Sequence, residues 1–117
     1  MDRAGIFAGI AAAIVVALGL APDAGPSADV DEYAHAGAFL MIAFLFCATS
    51  PRHPWLGMLA AFAMGTCIEL AQIFVPGRTA SLADIGANVA GVIAGAALFY
   101  LFVRMRAHYK ADTDVTL

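Results

Sequence analysis

The segment Pro54–Val103, PWLGMLAAFAMGTCIELAQIFVPGRTASLADIGANVAGVIAGAALFYLFV, decides the fold. It holds two long apolar runs around a short break. From Pro54 to Val75 the only charge is Glu69, and from Ile85 to Val103 there is none. A bilayer core is crossed by about 20 helical residues, so each run is long enough to span it. Between them Pro76-Gly77 stops the first run. Ser81 stands where an N-cap is expected, just ahead of Asp84 at the start of the second. Backbone groups in lipid need partners within their own segment, so both runs are predicted to be helices.

Working outward, the same pattern repeats. Ala4 to Pro22 is uncharged, and Ala36 to Pro51 is uncharged with Tyr33 and His35 extending it backwards. Pro22, Gly25 and Pro26 break the chain after the first run, and Ser50-Pro51 with Pro54 brackets a tight turn. The expectation is an all-α polytopic membrane protein, a four-helix transmembrane bundle. It forms a single domain over residues 1–110, with helices near 4–21, 33–49, 55–75 and 82–103 and a disordered cytoplasmic tail at 111–117. The first run follows Arg3 as a signal peptide would, but Pro22 directly after Ala21 is a poor cleavage context, so the segment is expected to be retained.

Composition agrees. The 117 residues are 62% hydrophobic, more than a soluble domain of this size can bury. The net charge of -3 comes with no basic run or aromatic-basic interleaving, which argues against nucleic acid as a partner. Cys47 and Cys67 both fall in apolar runs and read as small core residues, with no CxxC pair to suggest metal.

Positive charge sets the orientation. Arg3 precedes the first helix, Arg52 lies between the second and third, and Arg104, Arg106 and Lys110 follow the fourth. In a four-helix chain these places share one side, which the positive-inside bias makes cytoplasmic. Both termini are therefore expected in the cytoplasm of a bacterial cell, with the chain multi-pass in its inner membrane. The loop with Asp29 and Asp31 faces the exterior, as does the turn carrying Arg78.

Polar residues gather on that outer side. Asp31 and His35 are four apart at the start of the second helix, and Glu69 and Gln72 are three apart near the end of the third. Arg78, Thr79 and Ser81 form the turn, while Asp84 and Asn88 are four apart at the start of the fourth. Each pair shares a helix face. Glu69 lies about 10 Å below Pro76 along the axis, so these residues can meet in one shallow outer-leaflet pocket. Small residues prepare the packing: Gly91 and Gly95 continue the stripe of Asp84 and Asn88, and Gly57, Ala61 and Gly65 continue that of Glu69 and Gln72. Gly5 and Gly9 are expected to do the same in the first helix. Ionisable groups within a span are functional by default.

The stretch from about Asp31 to Gly95 resembles the VanZ-like family. The carrying residues are Asp31-Glu-Tyr-Ala-His35, Ile68-Glu69-Leu-Ala-Gln72, Pro76-Gly77-Arg78-Thr-Ala-Ser81 and Asp84-x-x-x-Asn88-x-x-Gly91-x-x-x-Gly95. Where the family commonly has Lys after the first Asp, this chain has Glu32, so an Asp–Lys pair is absent. The resemblance implies a small bacterial polytopic membrane protein. The family's namesake is linked to resistance to the glycopeptide teicoplanin, which does not by itself assign resistance or a reaction to this chain.

Several functions fit the polar set. One is binding or modifying a lipid-linked envelope component, a polyprenyl phosphate or other anionic lipid. Arg78, Thr79 and Ser81 would hold the phosphate, with Gln72, Asn88 and Asp31 around it. Another is an intramembrane hydrolase or transferase on such a headgroup, with Glu69, Asp84 and His35 as acid and base. A third is a structural subunit without chemistry. Asp31, His35, Glu69 and Asp84 are metal-ligand types, but their spacing matches no metal motif and Arg78 would repel the ion, so neither metal nor cofactor is expected. The oligomeric state stays open.

Overall fold

A computed structural model describes residues 2–20, 28–76 and 82–116, and the side chains of these except 19, 20, 28–32 and 116. Four helices follow in order: α1 Arg3–Leu20, α2 Ala28–Thr49, α3 Pro54–Gln72 and α4 Leu82–Thr116. The described residues contain no strand, and the all-helical bundle expected from the sequence is what forms. α2 packs against each of the other three helices, most extensively against α4, whereas among the described residues α1 and α4 do not meet.

Helix ends follow local chemistry. Pro54 opens α3 at a position where its missing N–H is not needed, after His53 as N-cap. The α2–α3 connection is a tight turn in which His53 N–H donates to the Ser50 carbonyl at 3.0 Å. α3 ends at Gln72 rather than near 75. Its last turn tightens, with Phe74 N–H on the Ala71 carbonyl and Val75 N–H on the Gln72 carbonyl, both at 3.1 Å. Pro76 cannot extend an α-helix at that point, because it lacks an N–H and its ring meets the preceding turn.

α2 begins at Ala28, five residues before the expected start, and Asp29, Asp31 and Glu32 fall in its first turns, where the helix dipole favours carboxylates. α4 differs more. It runs on to Thr116, about 50 Å of helix, through the segment expected to be a disordered tail. After Gly95 the chain has neither Gly nor Pro to stop it. From Tyr100 to Val115 every side chain is exposed, so the helix projects beyond the bundle and stretches the molecule to 61 Å against 29 and 20 Å.

The interior is built mostly from small side chains. Ala8, Ala11, Ala43 and Ala61 are buried along with Phe39, Ile42, Ile68 and Val92. α2 and α4 run parallel in near backbone contact. A Cβ on Gly91 would strike the Ala36 carbonyl, and one on Gly95 the Leu40 carbonyl. α3 closes on α2 in the same way, its Gly57 against the backbone of Phe46 and Cys47. The stripe Gly57, Ala61, Gly65, Ile68, Glu69 and Gln72 is the buried face of α3.

Two expectations are corrected. A Cβ on Gly9 would meet nothing within 4 Å, because α1 buries Ala8 and Ala11, and position 9 is turned about 100° away from Ala8. Cys47 is a core residue, its thiol donating to the Pro54 carbonyl at 3.2 Å, but Cys67 is exposed, one position before the buried Ile68. Large apolar side chains face outward instead, among them Phe7, Ile14, Leu59, Phe74 and Ile93.

The seam generates a matched test. Gly95→Ala should cost about 1–3 kcal/mol, since the added methyl forces α2 and α4 apart. Gly86→Ala meets nothing within 4 Å and should be neutral or gain up to about 1 kcal/mol from helix propensity. Thermal unfolding followed by helical circular dichroism reads the difference. Equal behaviour of the two variants would mean the helices are not in contact at Gly95.

Candidate functional site

Three polar side chains are buried among the described residues: Glu69 and Gln72, each 2% exposed, and Asn88, 5% exposed. They come from two helices and lie toward one end of the bundle, where α3 finishes and α4 begins. His35, half-buried on α2, joins them directly, its Nδ1 standing 3.3 Å from Asn88 Oδ1. As placed, the ring N–H donates to the amide oxygen, which sets the tautomer with its proton on Nδ1.

Helix register explains the convergence. α2 and α3 are antiparallel, with Gly57 against Phe46 and Cys47 and Gly65 against Phe39. The same register carried one turn further brings Glu69 level with His35. Gly65 is the gap through which Asn88 reaches. A methyl there would stand 3.0 Å from the Phe39 ring and 3.2 Å from Asn88 Nδ2. Asp84 lies half-buried in the first turn of α4, where the helix dipole favours a carboxylate, one turn from Asn88 on the same face.

Of the expected site residues, His35 and Asn88 are thus bonded to each other, Glu69 and Gln72 are buried beside them on the adjoining face of α3, and Asp84 sits one turn above Asn88. Asp31 occupies α2 one turn before His35, and its side chain is outside the described set. Arg78, Thr79 and Ser81 lie outside the described residues. No group of three His, Cys, Asp or Glu positioned for a metal occurs among the described residues.

One wall residue was missed by sequence reasoning. Phe39, 3% exposed, packs across Gly65 and shuts the polar group off from the apolar core beneath. Its spacing of four from His35 was the available signal, since that places both on one face of α2.

A helical bundle with glycine seams and a buried Glu, Gln and Asn at one end is the kind of small all-α protein defined here. The VanZ/LLP1 family model matches residues 7–103, and the chain belongs to that family. The match spans most of the chain and takes in α1 through the apolar part of α4. No curated protein and no solved structure matches it.

The His35–Asn88 bond is testable by itself. A double-mutant cycle with His35→Ala and Asn88→Ala should show a coupling of about 1 kcal/mol in unfolding free energy, as for a single part-buried hydrogen bond. A coupling near zero would show that the two side chains do not meet.

Proposed function

We propose that the chain spans a bacterial inner membrane four times, with both termini cytoplasmic, and binds or modifies a lipid-linked envelope component through the polar group at its outer end. The observation that carries the reading is an inverted polarity. Glu69, Gln72 and Asn88 are inside the bundle while large apolar side chains cover its outside. In water that arrangement is costly on both counts. In lipid it is the favourable one, with small residues at helix seams and polar side chains turned inward.

α3 and α4 are long and apolar enough to cross a membrane by length and composition, and only 28% of the apolar window of each is buried by the bundle. The described apolar stretches of α1, Arg3–Leu18, and α2, Tyr33–Thr49, are shorter than that criterion. Their inclusion as spans rests on packing: α2 lies between α3 and α4 in contact with both, so it shares their environment. Arg3, Arg52 and the basic residues of α4 all belong to the end opposite Glu69, which supports a cytoplasmic assignment for that end. Reporters fused after Lys110 and within Gly25–Asp29 should therefore report cytoplasm and exterior. The same side for both would remove the four-span reading.

The ligand proposed is a lipid phosphate, such as a polyprenyl phosphate. Arg78 is the cation of the outer side, and a guanidinium holds phosphate with two parallel hydrogen bonds. Thr79 and Ser81 add donors. Glu69, Asp84 and His35 stand below as groups that orient Arg78 or exchange a proton with the headgroup. The lipid partner, the inner-membrane setting and the absence of any metal from the chemistry form one proposal. Native mass spectrometry of the purified protein with added polyprenyl phosphate tests it. Arg78→Ala should weaken binding about tenfold or more, and Arg78→Lys should weaken it too because the fork is lost while the charge stays. Arg106→Ala, at the far end of α4, should not. Binding unchanged by Arg78→Ala would make the cluster structural.

A further inference from the structure

The end of the bundle opposite Glu69 carries a second concavity. A cleft of about 370 Å³ opens there between α1, α2 and α3, walled by Ala8, Phe46, Thr49, Ser50, Leu56 and Ala60. That volume lies within the range of small-ligand sites. Its lining is mostly apolar, and Thr49 asks nothing of a ligand, because its hydroxyl donates to the Phe46 carbonyl at 2.6 Å. A chain of methylenes suits such walls.

The residues that flank its walls along the chain have the opposite character. Arg52 and His53 follow Ser50 in the α2–α3 turn, and Arg3 opens α1 about one and a half turns before Ala8. All three are exposed. Asp2 is near, but its carboxylate accepts the Gly5 N–H at 2.8 Å and is engaged with the start of α1. An apolar slot between helices, with exposed arginines two residues from Ser50 and five from Ala8 along the chain, is complementary to an amphiphile with an anionic head. On the cytoplasmic side of a bilayer such lipids are abundant, and basic pockets between helices there take their headgroups.

We propose that this cleft binds one acyl chain of an anionic glycerophospholipid of the cytoplasmic leaflet, with the lipid phosphate held by Arg52 and Arg3. The site is separate from the outer polar group and rests on the membrane-spanning reading alone.

The chain carries its own probe. Trp55 is its single tryptophan, 56% exposed and next to Leu56 in the cleft wall. The protein is reconstituted into phosphatidylcholine vesicles containing a minor fraction of lipid brominated on its acyl chain, either phosphatidylglycerol or phosphatidylcholine. Quenching of Trp55 fluorescence is then compared between the two. Brominated phosphatidylglycerol should quench at a lower mole fraction. The preference should fall about fivefold for each of Arg3→Gln and Arg52→Gln. It should also vanish in Ala60→Phe, which fills the slot from an exposed position and leaves both arginines in place. Equal quenching by the two lipids overturns the proposal, as does a preference that survives the arginine changes. A preference surviving Ala60→Phe overturns it as well, since anionic lipid is then only enriched around the protein. Absence of quenching by either lipid would overturn the proposal together with the membrane reading.

Discussion

Gly91 and Gly95 sit where any side chain would strike the backbone of α2 at Ala36 and Leu40, and the rest of the bundle depends on that close approach. With α2 and α4 this near, the side chains on either side of the seam meet without long reach. Asn88, one turn before Gly91, comes within hydrogen-bond distance of His35, one residue before Ala36. One turn and more beyond Gly95, the helices are held by larger groups. Phe44 from α2 lies edge-on to Phe99 at 5.6 Å and to Phe102 at 5.8 Å on α4. The pair of helices is thus tight at the polar end and padded by aromatic rings at the other. α3 then fits against the pair through Gly57, Ala61 and Gly65, which leaves Glu69 and Gln72 in the interior as the continuation of the same stripe.

Much of this was legible because small and polar residues at helical spacing have few uses in an apolar chain. Gly57, Ala61, Gly65, Glu69 and Gln72 read as one face and are buried as one face. Asn88, Gly91 and Gly95 did likewise. The reading failed where the apolar pattern is uniform. α1 is Ala- and Ile-rich all round, so nothing in its sequence separates the buried Ala8 from the exposed Gly9. Cys67 failed for a related reason, since a thiol is tolerated equally in a core and against an apolar surround. The length of α4 was hidden by composition. Polar residues after Val103 mark the end of an apolar run, but Arg104, Arg106, Ala107, Lys110 and Ala111 are good helix formers, and the end of a run is not the end of a helix.

The site itself was legible as a depth and not as a set of contacts. Helix arithmetic places His35, Glu69 and Asn88 near one level, but which of them pair depends on crossing angles and rotamers that spacing does not carry. His35 stands within hydrogen-bond distance of Asn88, a neutral amide that charge alone did not point to. The contact fixes the orientation of the imidazole ring against α4.

The two ends of the bundle then make different demands on the sequence. At the end that holds Glu69, polar atoms must be satisfied by protein, so the helices there are pinned by glycine against backbone and by side chain against side chain. At the opposite end, α1 leans on α2 and α3 through Ala8 and leaves a slot that protein atoms do not fill. Helices that need tight packing for a buried Glu and Asn tolerate such a slot only where the missing contacts are apolar and cheap to replace. The slot accordingly falls at the end away from Glu69, where the missing contacts leave no buried hydrogen bond unsatisfied.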